Sequence, residues 1–137
     1  MEETLTRWMP YIDGKYIDKM KLFFKDVYNN NKETGKILII KGKEKTGKTT
    51  FVSEIIDLLG HKQIGHIEDN NDKNKQLIFV SEPHINSNKF SNNQIENIKS
   101  KLEEKKSLIM ICIDIDIPED IEKYCEIIEF THSFHKN

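Results

Sequence analysis

The sequence predicts an α/β protein: a mostly parallel sheet of about five strands, preceded by a helical N-terminal segment. Three observations predict it. Residues 36–40 (KILII), 77–80 (LIFV), 108–113 (LIMICI) and 126–130 (EIIEF) are short apolar runs rich in β-branched residues, suited to strands covered on both faces. Segments with apolar residues at helical spacing lie between them, so crossovers rather than hairpins would join the strands. A loop with glycine near each end, Gly42 to Thr49, connects the first run to the helical pattern after it.

In chain order, Ile17, Met20, Phe23, Phe24, Val27 and Tyr28 follow helical spacing, and Asn29 to Asn31 close that segment. Gly35 punctuates before KILII. Beyond the loop, Phe51, Val52, Ile55, Ile56 and Leu59 mark one helix face, stopped by Gly60. Residues 63–67 read as a weak second strand and residues 68–76 as a polar loop. Ser81-Glu82-Pro83 ends the LIFV strand. Ser91 to Gln94 has the form of a capping box, and Ile95, Ile98 and Leu102 give the helix behind it one apolar stripe. The charge run Glu103 to Lys106 reads as that helix's solvated end, its lysines suited to the C-terminal dipole. Pro118 opens a short helix before the last strand.

Composition narrows the function classes. The chain has 137 residues, 36% hydrophobic and 32% charged, with a net charge of −2. That balance suits one globular domain and provides no basic arm for gripping nucleic acid. Cys112 and Cys125 lie in or beside apolar runs without metal-ligand spacing, so they read as buried free thiols of a reducing compartment. His61, His66, His84, His132 and His135 form no ligand spacing and read as surface or loop residues. There is no run of about 18 apolar residues and no basic-then-apolar leader, so a soluble, intracellular protein without a membrane partner is expected. Alanine is absent, Arg7 is the single arginine, and Ile, Lys and Asn dominate, which points to an A/T-rich genome.

Gly42-Lys43-Glu44-Lys45-Thr46-Gly47-Lys48-Thr49 fits G-x-x-x-x-G-K-[ST] at every fixed position. Average composition gives such a match in on the order of one in 200 chains of this length, and the strand-before, helix-after setting makes chance rarer. Each part has a physical task. The glycines let successive backbone N–H groups turn toward phosphate oxygens, and the new helix aims its positive end at them. Lys48 places a point charge by the β- and γ-phosphates, and the Thr49 hydroxyl suits Mg2+. The loop with Thr50 is therefore the expected binding site for a nucleoside triphosphate, ATP with Mg2+. Residues 1–31 form the helical N-terminal segment of this reading and residues 35–134 its nucleotide-binding core.

Hydrolysis needs an acid from a neighbouring strand end. Glu82, directly after LIFV, is the expected catalytic carboxylate and a second contact to the metal. Ser81 stands where many such sites carry another acid. Asp114 and Asp116, at the end of the LIMICI strand, are the polar residues available to sense the γ-phosphate.

The order of these features resembles the superfamily 3 helicases of DNA viruses, especially the ATPase part of poxvirus-type primase-helicases. The resemblance rests on the Walker-type loop, Ser81-Glu82-Pro83 after a strand, LIMICIDIDIP, and an Ile-rich strand closing in Phe130-Thr-His-Ser-Phe134. It implies phosphate and metal binding by Gly42, Gly47, Lys48 and Thr49, and Glu82 as the catalytic acid. Possible partners under it are DNA, a replication protein or further copies of the chain. Several positions depart from that family. Its sensor Asn is Asp114 here, residues 103–107 replace the segment carrying its DNA-contacting hairpin, and Lys123 is the nearest cation to its arginine-finger position. Weak or partner-dependent hydrolysis is therefore expected, without duplex unwinding. A non-catalytic ATP-binding relative and a small nucleotide kinase stay open as alternatives, although one arginine is few for a kinase that clamps two sets of phosphates. Asn88 to Ser91 lacks the Asp that would read guanine.

Overall fold

The structure is a computed structural model that describes residues 1–30, 34–69, 75–82 and 89–131. Its centre is β1 (Ile37–Lys41), followed by β2 (Ile64–His66), β3 (Leu77–Phe79), β4 (Leu108–Cys112) and β5 (Cys125–Glu129). They form a five-stranded sheet in the order β2-β3-β4-β1-β5, with every strand pairing parallel. The expected mostly parallel sheet is thus parallel throughout its named strands, and the weak run at residues 63–67 supplies an edge strand.

The absence of alternation in these strands has its physical reason in the two helical layers. On one face lie α1 (Glu2–Trp8), α2 (Ile17–Asn30) and α3 (Lys48–Leu59), whose Trp8, Phe24, Phe51 and Ile55 pack with Leu38, Ile40, Ile109 and Ile128. On the other lie α4 (Asn92–Glu103) and the short α5 (Glu119–Glu122), whose Ile98, Leu102 and Ile121 pack with Ile37, Ile39, Leu108 and Met110. All four β1 isoleucine and leucine side chains are fully buried, and burying one such side chain contributes about 1.5–3 kcal/mol. The connection from β1 to β2 crosses β4 and β3 in one direction. Those through α4 and α5 travel the opposite way, and their helices cover the opposite face, as crossovers of a single hand require.

Several local signals were decisive. Ser91 Oγ accepts from the Gln94 backbone N–H at 3.2 Å, and the Ser91 backbone N–H donates to the Gln94 side-chain oxygen at 3.0 Å, closing the expected capping box. Gly60 stops α3 with φ of 92°. Pro118 precedes the first turn of α5. After α4 the chain turns through Glu104 to Ser107, Lys105 taking φ of 68°, and enters β4 at once. That turn leaves no hairpin between α4 and β4.

The N-terminal helical segment is two helices rather than one. Between them residues 11–13 run along the end of β5: Ile12 forms an antiparallel bridge with Phe130, the Asp13 N–H donates to the Glu129 carbonyl at 2.9 Å, and the Thr131 N–H donates to the Tyr11 carbonyl at 3.0 Å. Among the described residues, no helix is long and apolar enough to cross a membrane. Asn31, Pro83, His84, Asn88, His132, Phe134 and His135, named above, lie outside the described residues, as do the polar-loop positions 70–74.

The capping box gives a direct test. Ser91→Ala removes a side-chain acceptor from an exposed helix start, so unfolding stability should fall by about 1 kcal/mol. Denaturant midpoints of the two proteins measure it, and Ser91→Asp should recover most of the loss.

Candidate functional site

Parallel register brings the chemistry to one edge of the sheet. Lys41, the last residue of β1, pairs with Cys112 of β4 on one side and Glu129 of β5 on the other. Glu82 lies three residues past Phe79, the last residue of β3, and its charge acts on both Cys112 and Lys48. Cys112, Lys41 and Glu129 therefore stand in one row at the carboxyl ends, with Glu82 just past the end of β3, where an open parallel sheet presents its crevice.

The chain leaves this row through Gly42. Its backbone N–H donates to the Cys112 carbonyl at 3.2 Å, and its φ is 154°. A Cβ at this position would come within 2.7 Å of the Phe130 carbonyl oxygen, so only glycine lets the loop leave β1 so close to β5. Lys45 takes φ of 63°, and Thr46 Oγ1 donates to the Lys43 carbonyl at 2.8 Å, folding the loop upon itself. Gly47, with φ of 92°, then starts α3, and no side chain caps that end. The first-turn N–H groups of α3 are left without side-chain acceptors, which is the arrangement that receives an anion.

Lys48 is 8% exposed, and its ammonium donates to the Gly42 carbonyl and, at 3.0 Å, to the Lys43 carbonyl. The cation is thereby held inside the loop. Burial lowers its pKa, while the negative charge of Cys112 in its thiolate form, of Glu82 and of Glu44 pulls it back up. Thr49 and Thr50 are exposed on the first turn of α3. Glu82 is exposed just past β3, and Ser81 donates its hydroxyl to Glu68 at 3.0 Å. Asp114 is exposed past β4. Asp116 instead forms an isolated bridge with Lys89, which separates it from the Asp114 position. Lys43, Glu44, Thr46 and Asp114 line a cleft of about 610 Å3 together with Lys41, Ile113 and the Glu129–Thr131 end of β5. Ligand clefts fall in this range of volume.

The positions expected from sequence to act together, Gly42 to Thr49, Glu82 and Asp114, follow the carboxyl ends of β1, β3 and β4, but Lys48, Thr49 and Glu82 are not among the residues that line the cleft. Arg7 and Lys123 lie elsewhere. Arg7 pairs with Glu54 of α3 at 2.7 Å, and the Lys123 ammonium lies 5.0 Å from the Tyr124 ring centroid. Sequence reasoning missed Lys41, Cys112 and Glu129 as members of the site. A signal existed for Lys41, a charge ending an otherwise apolar strand directly before the motif; Cys112 and Glu129 become neighbours only through pairing. Among the described residues no group of three or more His, Cys, Asp or Glu side chains is placed to hold a metal ion by itself. A divalent ion here would need oxygens from its ligand as well, which is how Mg2+ is usually bound.

The two thiols make the fold sensitive to alkali. Burial, with Glu82 and Asp114 nearby, pushes Cys112 up from 9.0 to about 12, against the pull of Lys48 and Lys41; burial and Glu122 push Cys125 up to about 12. A raised thiol pKa favours folding fully below the unfolded value and loses that contribution as pH rises from about 9 toward 12. Lys48 acts in the opposite sense, because folding is relieved once the buried ammonium gives up its proton. Unfolding midpoints should therefore fall across pH 9 to 11 in the native sequence. In Cys112→Ala/Cys125→Ala the decline should flatten, whatever the cavity costs in absolute stability.

Comparisons with known proteins give a fold and no family. No protein-family model matches the sequence, and no curated protein matches it. Among solved structures, an A form apo structure of the NrS-1 C-terminal region matches with TM-score 0.66 and 16% identity over 95% of this chain. A second A form apo structure of that region, residues 305–718, gives 0.67 and 15% over 96%, and a further apo structure gives 0.65 and 15% over 95%. The chain spans 37–38% of the length of those structures. At such identity the likeness shows a shared fold.

Proposed function

We propose that this chain is a P-loop ATPase related to the viral superfamily 3 helicases, binding ATP with Mg2+ at Gly42 to Thr49 and hydrolysing it weakly or with a partner's help. The observation that carries the reading is the buried Lys48 ammonium. It is enclosed by the loop at the start of α3, within electrostatic reach of Glu82 past the end of β3. A cation kept in a partly desolvated place, beside uncapped helix N–H groups, suits a polyphosphate.

Residue roles follow from position. The N–H groups from Lys45 to Thr50 take phosphate oxygens, and Lys48 exchanges its carbonyl partners for the β- and γ-phosphates. Thr49 and Glu82 would hold Mg2+, which supplies charge neutralisation along the phosphates. Glu82 accepts a proton from, or orients, an attacking water. Asp114 stands where the resembled family has Asn. A carboxylate there repels the γ-phosphate unless a cation or proton intervenes, which slows turnover. The Ser81 hydroxyl turns toward Glu68 instead of joining Glu82 at the site. Arg7 is engaged on α3 and lies outside the loop. These features favour a partner, whether a replication protein, DNA or another copy of the chain, as the source of full activity. Because Glu104 to Ser107 form only a turn, the chain should bind DNA weakly and leave a forked duplex intact.

ATP with Mg2+ should raise the melting temperature of the wild-type protein, and Lys48→Ala should lose that shift while remaining folded by circular dichroism. Equal shifts in both proteins would remove the loop as the site. Glu82→Gln should keep nucleotide affinity and reduce turnover by about a hundredfold or more, the usual contribution of general base catalysis. Unchanged turnover would return Glu82 to a solvated strand end.

A further inference from the structure

Trp8 is the single tryptophan of the chain, and it is 3% exposed. It reaches the loop's two anchors at once. Its ring lies 5.6 Å from Phe51 edge-on and 6.0 Å from Phe130, and those two rings are 5.5 Å apart. Phe51 is in the first turn of α3, its N–H donating to the Gly47 carbonyl at 2.9 Å. Phe130 fixes the other end: its N–H donates to the Lys41 carbonyl at 2.9 Å, and its own carbonyl abuts Gly42. The indole N–H donates to the Glu54 carboxylate on α3, whose other oxygen accepts from Arg7 at 2.7 Å. A partly buried hydrogen bond to a carboxylate is among the stronger polar contacts a side chain makes. Aromatic pairs at these spacings hold preferred angles rather than sliding freely.

We infer that α1 controls the Gly42–Thr49 loop, with Trp8 as a positioning residue that holds Phe51 and Phe130, and so the two ends of the loop, at a fixed separation. The inference rests on the reading of that loop as a nucleotide site, and it concerns regulation of the same site. Displacing α1, by a partner that takes Arg7 and Trp8 or by substitution, would loosen the anion cradle without touching any group that contacts phosphate. Coupling is reciprocal, so an occupied loop holds Trp8 more firmly.

The test uses the whole chain and two readouts. Amide hydrogen exchange is measured without nucleotide in wild type, Trp8→Phe and Glu54→Ala. Leu102→Ala, which thins the core on the opposite sheet face, serves as the control. Trp8→Phe keeps a ring in place and removes the donor to Glu54; Glu54→Ala removes the acceptor from a partly exposed position. Both should speed exchange at residues 42–51 on the order of tenfold, as a local opening, while β4 and α4 keep wild-type protection. Leu102→Ala should give the reverse pattern. MgATP affinity, read by thermal shift, should weaken about fivefold or more in Trp8→Phe and Glu54→Ala, the lower end of couplings between sites, and stay near wild type in Leu102→Ala. Exchange at residues 42–51 that is unchanged, or that rises equally everywhere, overturns the positioning role. Loss of loop protection with no MgATP shift even in wild type leaves the lever standing mechanically but overturns its role as nucleotide control, because the ligand assignment has then failed.

Discussion

β1 is hydrogen-bonded along both edges and packed on both faces, and this double confinement fixes everything at the carboxyl end of the sheet. Its pairing with β4 and β5 in parallel register aligns Lys41 with Cys112 and Glu129. A slip of one residue would turn the Ile37–Ile40 side chains to the wrong layers, and the cost of exposing even one of them is comparable to a sizeable fraction of a small protein's stability. The core thus sets the register and the register sets the site. The loop is then launched from a point where the Phe130 carbonyl allows no side chain.

Around that constraint the charges are unevenly distributed. Lys48 is inside, held by loop carbonyls, and Glu82 is outside, past the end of β3, two strands away from β1. Cys112 lies between them, a neutral group whose ionisation burial and the neighbouring carboxylates oppose. A neutral, polarisable residue ending β4, the strand between β1 and β3, separates cation from acid without adding a charge of its own. An ionised side chain at Cys112 would draw on the charge of Lys48, which the loop carbonyls otherwise hold.

Much of this was legible in the sequence because it depended on near neighbours along the chain. Unalternating β-branched runs gave the strands, Ser91 with Gln94 gave the start of α4, and the glycine spacing of Gly42 and Gly47 gave the loop. Glu82 and Asp114 were legible by rule, since each follows a buried strand. What was not legible depended on contacts between distant positions. Nothing near Trp8 signals that it packs on Phe51 and Phe130, and nothing near Glu54 signals a partner at Arg7. Asp114, expected at the sensor position, lines the cleft, whereas the backbone of Asp116 bridges to Lys89, a pairing that no neighbouring residue announces. The break between α1 and α2 did have local signals, since Pro10 and Asp13-Gly14 are helix breakers within a segment expected to be helical throughout.

The strip formed by residues 11–13 along the end of β5 has a consequence for solubility. β5 is an outer strand, five residues long with every side chain at least half withdrawn from solvent, and its outer edge is of the kind that recruits strands from other molecules. The opposite outer strand, β2, is only three residues long and offers little template. On the β5 side the antiparallel bridge from Ile12 and the backbone bonds of Tyr11 and Asp13 blunt the strand's final residues. Peeling this strip away would unmask those backbone groups together with the apolar surface beneath Trp8, leaving a sheet that could extend into a neighbouring molecule and precipitate well before its core came apart.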